Sequence, residues 1–186
     1  ELPRSIRESI PDWLDNLGEE QLGDRWDNEL HALNEEAHVV LRANTLKINT
    51  GELQQLLHET GIETDALQEF PHALVLRQRQ NVFRHPSFKD GLFEVQDAAS
   101  QLIAPFMRVE QGMRVVDACA GAGGKTLHIA ALMKNKGRII GMDLEQWKLE
   151  ELQKRARRAG VSNLETRLIE SSKTIKRLEN SADRLL

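Results

Sequence analysis

Residues 112–117 read Gly-Met-Arg-Val-Val-Asp, residues 118–126 Ala-Cys-Ala-Gly-Ala-Gly-Gly-Lys-Thr, and residues 137–143 Gly-Arg-Ile-Ile-Gly-Met-Asp. Two short apolar runs, each ending in an acid, bracket a glycine-rich turn and a helical stretch. The order is strand, turn, helix, strand. Glycines let the backbone turn sharply and approach a ligand with no Cβ in the way. Asp143 stands 22 positions after Gly121. An acid about 20 residues past such a turn suits hydrogen bonding to ribose hydroxyls. The pattern is that of a nucleotide-like cofactor site.

The turn itself narrows the cofactor. It is not a Gly-x-Gly-x-x-Gly dinucleotide turn, because Thr126 stands where the third glycine belongs. It is not a P-loop, because Cys119 stands where the first glycine of that loop belongs. S-adenosylmethionine fits better: it needs backbone groups near its methionine tail and an acid for its ribose, and no phosphate cradle. A dinucleotide, and a structural turn with no ligand, stay open on spacing alone. The candidate cofactor residues here are Cys119, Ala120, Gly121, Ala122, Gly123, Gly124, Lys125 and Asp143.

Outward from the turn the alternation continues. Strand 114–117, helix 124–134, strand 138–142, helix 145–158, strand 164–169 and a short helix at 172–179 follow a helix spanning Gln96–Met107. Such alternation implies a parallel sheet with helices on both faces. Upstream lies a small α/β unit. It has a strand at 38–47, a helix capped by Asn49 or Thr50 and closed by Gly61, and short strands at 62–67 and 73–76. Residues 80–91, with Pro86, Asp90 and Gly91, read as a connecting loop. Residues 3–33 read as helical, broken near Gly18, with Ile6, Ile10, Trp13, Leu14 and Leu17 at helical spacing. Domains are expected at 1–36, 37–90 and 91–186.

Composition bounds the class. With 40% hydrophobic and 29% charged residues, a soluble globular protein is expected. No apolar run approaches the length of a membrane helix. A single cysteine forms no internal disulfide, which agrees with a reducing cytoplasm. Six scattered histidines beside one cysteine give no metal-ligand spacing. Residues 1–36 hold three arginines against eleven acids, whereas residues 91–186 hold sixteen basic residues against twelve acidic ones. The acidic start would repel RNA, so an RNA surface is expected later in the chain.

Three stretches carry a family resemblance. Leu41-Arg-Ala-Asn-Thr-Leu-Lys47, Gly91-Leu-Phe-Glu-Val-Gln-Asp-Ala-Ala-Ser-Gln-Leu102 and Asp117-Ala-Cys-Ala-Gly-Ala-Gly-Gly-Lys-Thr-Leu-His-Ile-Ala130 together closely resemble the Sun (Fmu) family of RNA cytosine-5 methyltransferases. The likeness covers roughly residues 38–186, and Pro11-Asp-Trp-Leu14 resembles the family's bacterial members. Gly121-Ala122 departs from the family's Ala-Pro and frees one φ angle. Glu170 is the nearest match to the family's adenine-side Asp, one methylene longer, and joins the cofactor candidates.

The resemblance implies a Rossmann-like, S-adenosylmethionine-dependent methyltransferase domain over 91–186. A small RRM-like domain that touches RNA, ribosomal or transfer, would precede it. In that domain Arg42 and Asn44 alternate along their strand and share a face. Such a pair binds phosphate and base edges, or it forms the polar outer face of a small sheet. Lys125 is expected to face the reaction cavity. Lys154, Arg155, Arg157 and Arg158 read as a solvated face, with Glu150 and Glu151 four residues before Lys154 and Arg155, or as a contact for RNA phosphates.

In the family a cysteine attacks the cytosine ring of an unstacked base, and the cysteines lie in Pro-Cys and Thr-Cys motifs. Cys119 belongs instead to the cofactor turn and reads as a packing residue with backbone contact to the cofactor. Ala182–Leu186 resembles the start of the strand leading to Pro-Cys. The nucleophile is therefore expected beyond Leu186, and strand 114–117 is expected to have an open edge that invites pairing with another chain. The alternative function is a non-catalytic RNA-binding or cofactor-binding module.

Overall fold

The computed structural model describes residues 2–186, which divide after Ala37 into two compact units, the second being His38–Leu186. In the first, α1 (Arg4–Arg7), α2 (Asp12–Leu22) and α3 (Trp26–Asn34) are held by the Arg4 guanidinium. It reaches Asp15 and Glu19 at 2.6 Å and Asp27 at 3.2 Å. The expected break at Gly18 does not occur. Helix α2 runs through it because a glycine is needed there: a Cβ would meet the Trp26 ring at 2.2 Å. The chain turns at Gly23 instead, with φ +52°. Trp26 and Leu30 form the buried face, whereas Ile6, Trp13 and Leu17 are exposed.

The second unit carries two sheets. The first is antiparallel, in the order β2-β3-β1-β4, built from β1 (Val40–Ala43), β2 (Thr64–Ala66), β3 (Ala73–Leu76) and β4 (Phe93–Val95). Helix α4 (Thr50–Glu59) covers it with Leu53 and Leu57. Its start is fixed by a reciprocal cap, in which the Asn49 side chain accepts from the Glu52 amide and Glu52 accepts from the Asn49 amide. The loop at 80–91 contains a 3₁₀ turn and the short α5 (Pro86–Lys89). Strand β4 was not foreseen. It lies just past the expected 90/91 boundary and pairs with β1, Arg42 opposite Glu94.

The expected helix from Gln96 to Met107 is two short ones, α6 (Ala98–Gln101) and α7 (Ile103–Phe106). Pro105 has no N–H to give the Gln101 carbonyl, so the helical ladder is interrupted there. Then comes the parallel sheet, in the order β7-β6-β5-β8. Its strands are β5 (Arg114–Asp117), β6 (Arg138–Asp143), β7 (Leu164–Leu168) and β8 (Arg184–Leu185). The crossovers are α8 (Gly124–Leu132) and α9 (Gln146–Ala159), with α10 (Ser172–Lys176) before β8. Alternate residues face opposite ways: Val115 and Ile139 pack against α7 and α8, while Val116 and Ile140 pack with Leu178 on the other face. The expected open edge on β5 is not found. Strand β8 closes it through Val115–Arg184 and Val116–Leu185 pairing. This strand order is that of a Rossmann-like sheet. Among the described residues no helix is long and apolar enough to cross a membrane.

Candidate functional site

The two acids that close β5 and β6 shape the turn between β5 and α8. Asp117 is buried. Its carboxylate accepts from the Thr126 hydroxyl at 2.6 Å and from the Cys119 amide at 3.3 Å. Burial raises its pKa, and the hydrogen bonds from Thr126 and Cys119 and the charge of Lys125 pull it back. Asp143 accepts from the Gly121 amide at 2.9 Å and from the Glu145 amide at 3.0 Å, with the Lys148 ammonium at 4.0 Å. An ionised carboxylate has about four acceptor positions, so two amides leave capacity for a pair of hydroxyls.

Gly121 and Gly123 both have positive φ, +53° and +92°. At Gly123 an added Cβ would also lie 2.2 Å from Leu152 of α9. At Gly121 an added Cβ would meet nothing within 4 Å, so its glycine answers to backbone conformation. The Ala120 amide bonds the Met142 carbonyl at 2.8 Å, which ties the turn to the end of β6. Helix α8 begins here with no side-chain cap, and its first amides lack helical partners. Beside the turn is a cleft of about 290 Å³ lined by Gln96, Ser100, Asp117, Cys119, Ala120, Gly124, Lys125 and Leu186. Asp143 is not among its walls and stands at Gly121.

The candidates divide accordingly. Cys119, Ala120, Gly124 and Lys125 line the cleft, and Gly121, Ala122, Gly123 and Asp143 form the adjoining turn. Cys119 is exposed, not buried as packing alone would have it. Glu170 lies exposed two residues past β7. Among the described residues no cluster of acids, histidines and cysteines suits a metal ion.

Arg42 and Asn44 are not on an outer face. They are 2% and 5% exposed. Asn44 donates to the carbonyls of Gly91 and Ala159 at 2.7 and 2.8 Å, and Arg42 donates to the Gly124 carbonyl at 2.6 Å and to Gln96. Both side chains do share a face, as alternation requires, but the methyltransferase-like half covers it. Arg155 and Arg158 are not a solvated face either. Both reach Glu94, itself 3% exposed, at 2.7–2.9 Å, and Arg155 also donates to the Ala122 carbonyl at 2.8 Å. Local spacing favoured a Glu151–Arg155 pair. In the fold Glu151 takes Lys154.

Comparison with known proteins agrees with this architecture. A family model described as a Methyltr_RsmF/B-like, ferredoxin-like domain matches residues 10–83, and one described as 16S rRNA methyltransferase RsmB/F matches residues 104–186. A probable ribosomal RNA small subunit methyltransferase B of Synechocystis is 34% identical over 84% of this chain and 35% of its own length. The 25S rRNA (cytosine-C(5))-methyltransferase NSUN5 of Arabidopsis thaliana is 32% identical over 67% of this chain and 22% of its own. A solved methyltransferase homolog of Pyrococcus horikoshii, 26% identical, superposes with a TM-score of 0.86 over 97% of this chain and 59% of its own. The chain spans about a third of the length of the methyltransferase B relatives.

Proposed function

This chain belongs to the RsmB/F family of ribosomal RNA methyltransferases, and from that premise we propose that it holds S-adenosylmethionine at the β5–α8 turn for methylation of a cytosine at carbon 5 in ribosomal RNA. The observation that carries the reading is the union of Asp143 with Gly121. The acid that would take ribose hydroxyls also fixes the amide of the turn that would approach the cofactor. The residues fit that cofactor: the turn leaves space at Gly121, the cleft walls include Gln96, Ser100, Asp117 and Lys125 beside the small residues of the turn, and no cluster of phosphate-binding side chains is present among the lining residues. The cofactor, when bound, supplies the methyl group.

The chain's own residues bind and orient. The first amides of α8 offer donors to an anionic group, helped by the helix dipole, and Lys125 adds a cation at the cleft wall. Asp143 serves as a hydrogen-bond acceptor. Glu170, exposed two residues past β7, is assigned to the adenine end on the family resemblance. Cys119 is assigned to the cofactor turn and not to attack on the base. Arg42 and Asn44 are assigned no RNA contact, because their donors are turned to internal carbonyls.

The test is titration calorimetry with S-adenosylmethionine on the intact protein and on Asp143→Ala. The variant is expected to bind about 1–3 kcal/mol more weakly, roughly tenfold to a hundredfold. Equal affinity in the two proteins would reject the site.

A further inference from the structure

We propose that Arg42 and Arg155 are positioning residues for the glycine turn, and that the first sheet is thereby part of the methyl-donor site. The inference rests on the cofactor reading above and adds residues that lie outside the turn and its two acids. Gly123 is flanked by two carbonyls, and each is taken by a guanidinium from a distant element. The Ala122 carbonyl accepts from Arg155 of α9 at 2.8 Å, and the Gly124 carbonyl accepts from Arg42 of β1 at 2.6 Å. Each guanidinium is also held by the same stretch of the first sheet. Arg155 bonds Glu94 in β4 at 2.9 Å, and Arg42 bonds Gln96 just after β4.

Peptide groups are planar, so fixing a carbonyl fixes the N–H on the other side of the same bond. Arg155 therefore sets the direction of the Gly123 N–H, and Arg42 sets that of the Lys125 N–H in the first turn of α8. The Gly123 amide is already committed to the Ala120 carbonyl at 2.9 Å. Without the arginines, a turn containing two left-handed glycines would sample several backbone states, since glycine restrains itself least.

Stability alone does not account for the arrangement. Two cations beside the positive end of α8 are opposed by the helix dipole. Burial lowers the Arg42 pKa to about 10, with Glu94 opposing that fall and Arg155 adding to it. Apolar residues of similar volume commonly serve stability as well as a buried ionic group does. What a guanidinium adds is a planar, multi-donor group: Arg155 bonds Glu94 through Nε and Nη2 and the Ala122 carbonyl through Nη1, while Nη1 of Arg42 bonds both Gln96 and the Gly124 carbonyl. Arg158 provides an internal contrast. It bonds the same Glu94 at 2.7 Å and lies over the Phe88 ring at 4.0 Å, but donates nothing to the turn.

The experiment compares Arg155→Ala, Arg42→Gln and Arg158→Ala in the intact protein by two readouts. One is S-adenosylmethionine affinity, and the other is amide hydrogen exchange at Gly123 and Lys125 in the free protein. Arg155→Ala and Arg42→Gln are each expected to weaken binding about tenfold or more, the value of one charge-assisted hydrogen bond, and to speed exchange at the turn. Arg158→Ala is expected to lower the melting temperature yet leave affinity within about twofold and turn exchange unchanged. Should Arg155→Ala not fold, Arg155→Gln, which keeps an N–H donor but offers Glu94 no charge, is read the same way. Exchange insensitive to an arginine in a protein that binds the cofactor removes that arginine from the proposal. Equal effects of Arg155→Ala and Arg158→Ala overturn it. The exchange measurement needs no cofactor, so a wild-type protein that fails to bind rejects the cofactor reading separately, and the positioning role falls with it.

Discussion

At the scale of single residues, His128 sets a measurable property. It is buried in α8, edge-on to His72 with ring centres 5.8 Å apart, and neither ring nitrogen has a hydrogen-bonding partner among the described residues. Burial, with the charges of Arg42 and His72 adding to it, pushes its pKa down to about 3. In the unfolded chain it titrates near 6.5. Below that pH the unfolded state takes up a proton that the folded state refuses. The stability contribution is therefore complete above pH 6.5 and is lost as pH falls from there toward 3. Between pH 7 and pH 5 the loss from this one group should be about 2 kcal/mol. Urea unfolding at the two pH values, in wild type and His128→Met, checks this; an equally steep decline in both proteins would contradict it. Residues of this kind divide the legible from the illegible. The glycines and Asp143 were readable because their chemistry is local: a backbone torsion and a fixed distance along the chain. Arg42 and Asn44 were not, because strand alternation says which residues share a face and not what will cover it.

At the scale of elements, β8 decides whether the parallel sheet has a usable edge. It contributes only two paired residues, yet four further bonds tie it down. The Arg114 amide donates to Asp183 at 2.7 Å, Leu186 and Val116 share a bond at 2.9 Å, the Ala118 amide donates to the Leu186 carbonyl at 2.8 Å, and Arg184 reaches the Met107 carbonyl at 2.8 Å. Strand β5 is apolar on both faces, and such a strand left at an edge pairs with other chains. Leu186→Pro, which removes the amide that donates to the Val116 carbonyl, should therefore lower the melting temperature and add concentration-dependent association. Sedimentation of the variant and wild-type proteins would show it, and two equally monomeric samples would mean that β5 protects itself. Strands β5, β6 and β7 and the crossover helices were legible because strand and helix segments alternate in order along the chain, as a parallel sheet requires. Strand β4 was not, because three residues with a glutamate at the centre display no alternation that a loop lacks. The split of α6 from α7 was signalled by Pro105, a cue outweighed in the reading by the apolar spacing around it.

At the scale of the whole second unit, residues 38–186, the two sheets are joined by polar groups, the buried Asn44 and Glu94 and the exposed Lys47. Asn44 links β1 to the Gly91 and Ala159 carbonyls, Lys47 bonds the carbonyls of Asp90 and Arg158 at 2.7 Å, and Glu94 holds Arg155 and Arg158. Gly91 permits the approach, since a Cβ there would lie 2.0 Å from the Arg158 carbonyl. None of this is encoded locally; each bond spans between 43 and 115 residues of sequence, which is why charge counting assigned these arginines to solvent. A polar joint is all or nothing in energetic terms, because removing one partner strands the others in a dry environment. Glu94→Ala leaves two guanidiniums without their carboxylate. Full burial would make that a loss of about 3–5 kcal/mol, and the partial exposure of both arginines reduces it to about 2–4 kcal/mol. If the joint makes the sheets one cooperative body, amides in β1 and in β6 should open with the same free energy in wild type. In Glu94→Ala both should fall by the same amount. Native-state hydrogen exchange measures the two sheets separately. A drop confined to β1 would mean that the sheets unfold independently, and that the small sheet is an attached module and not part of the body that holds the cofactor turn.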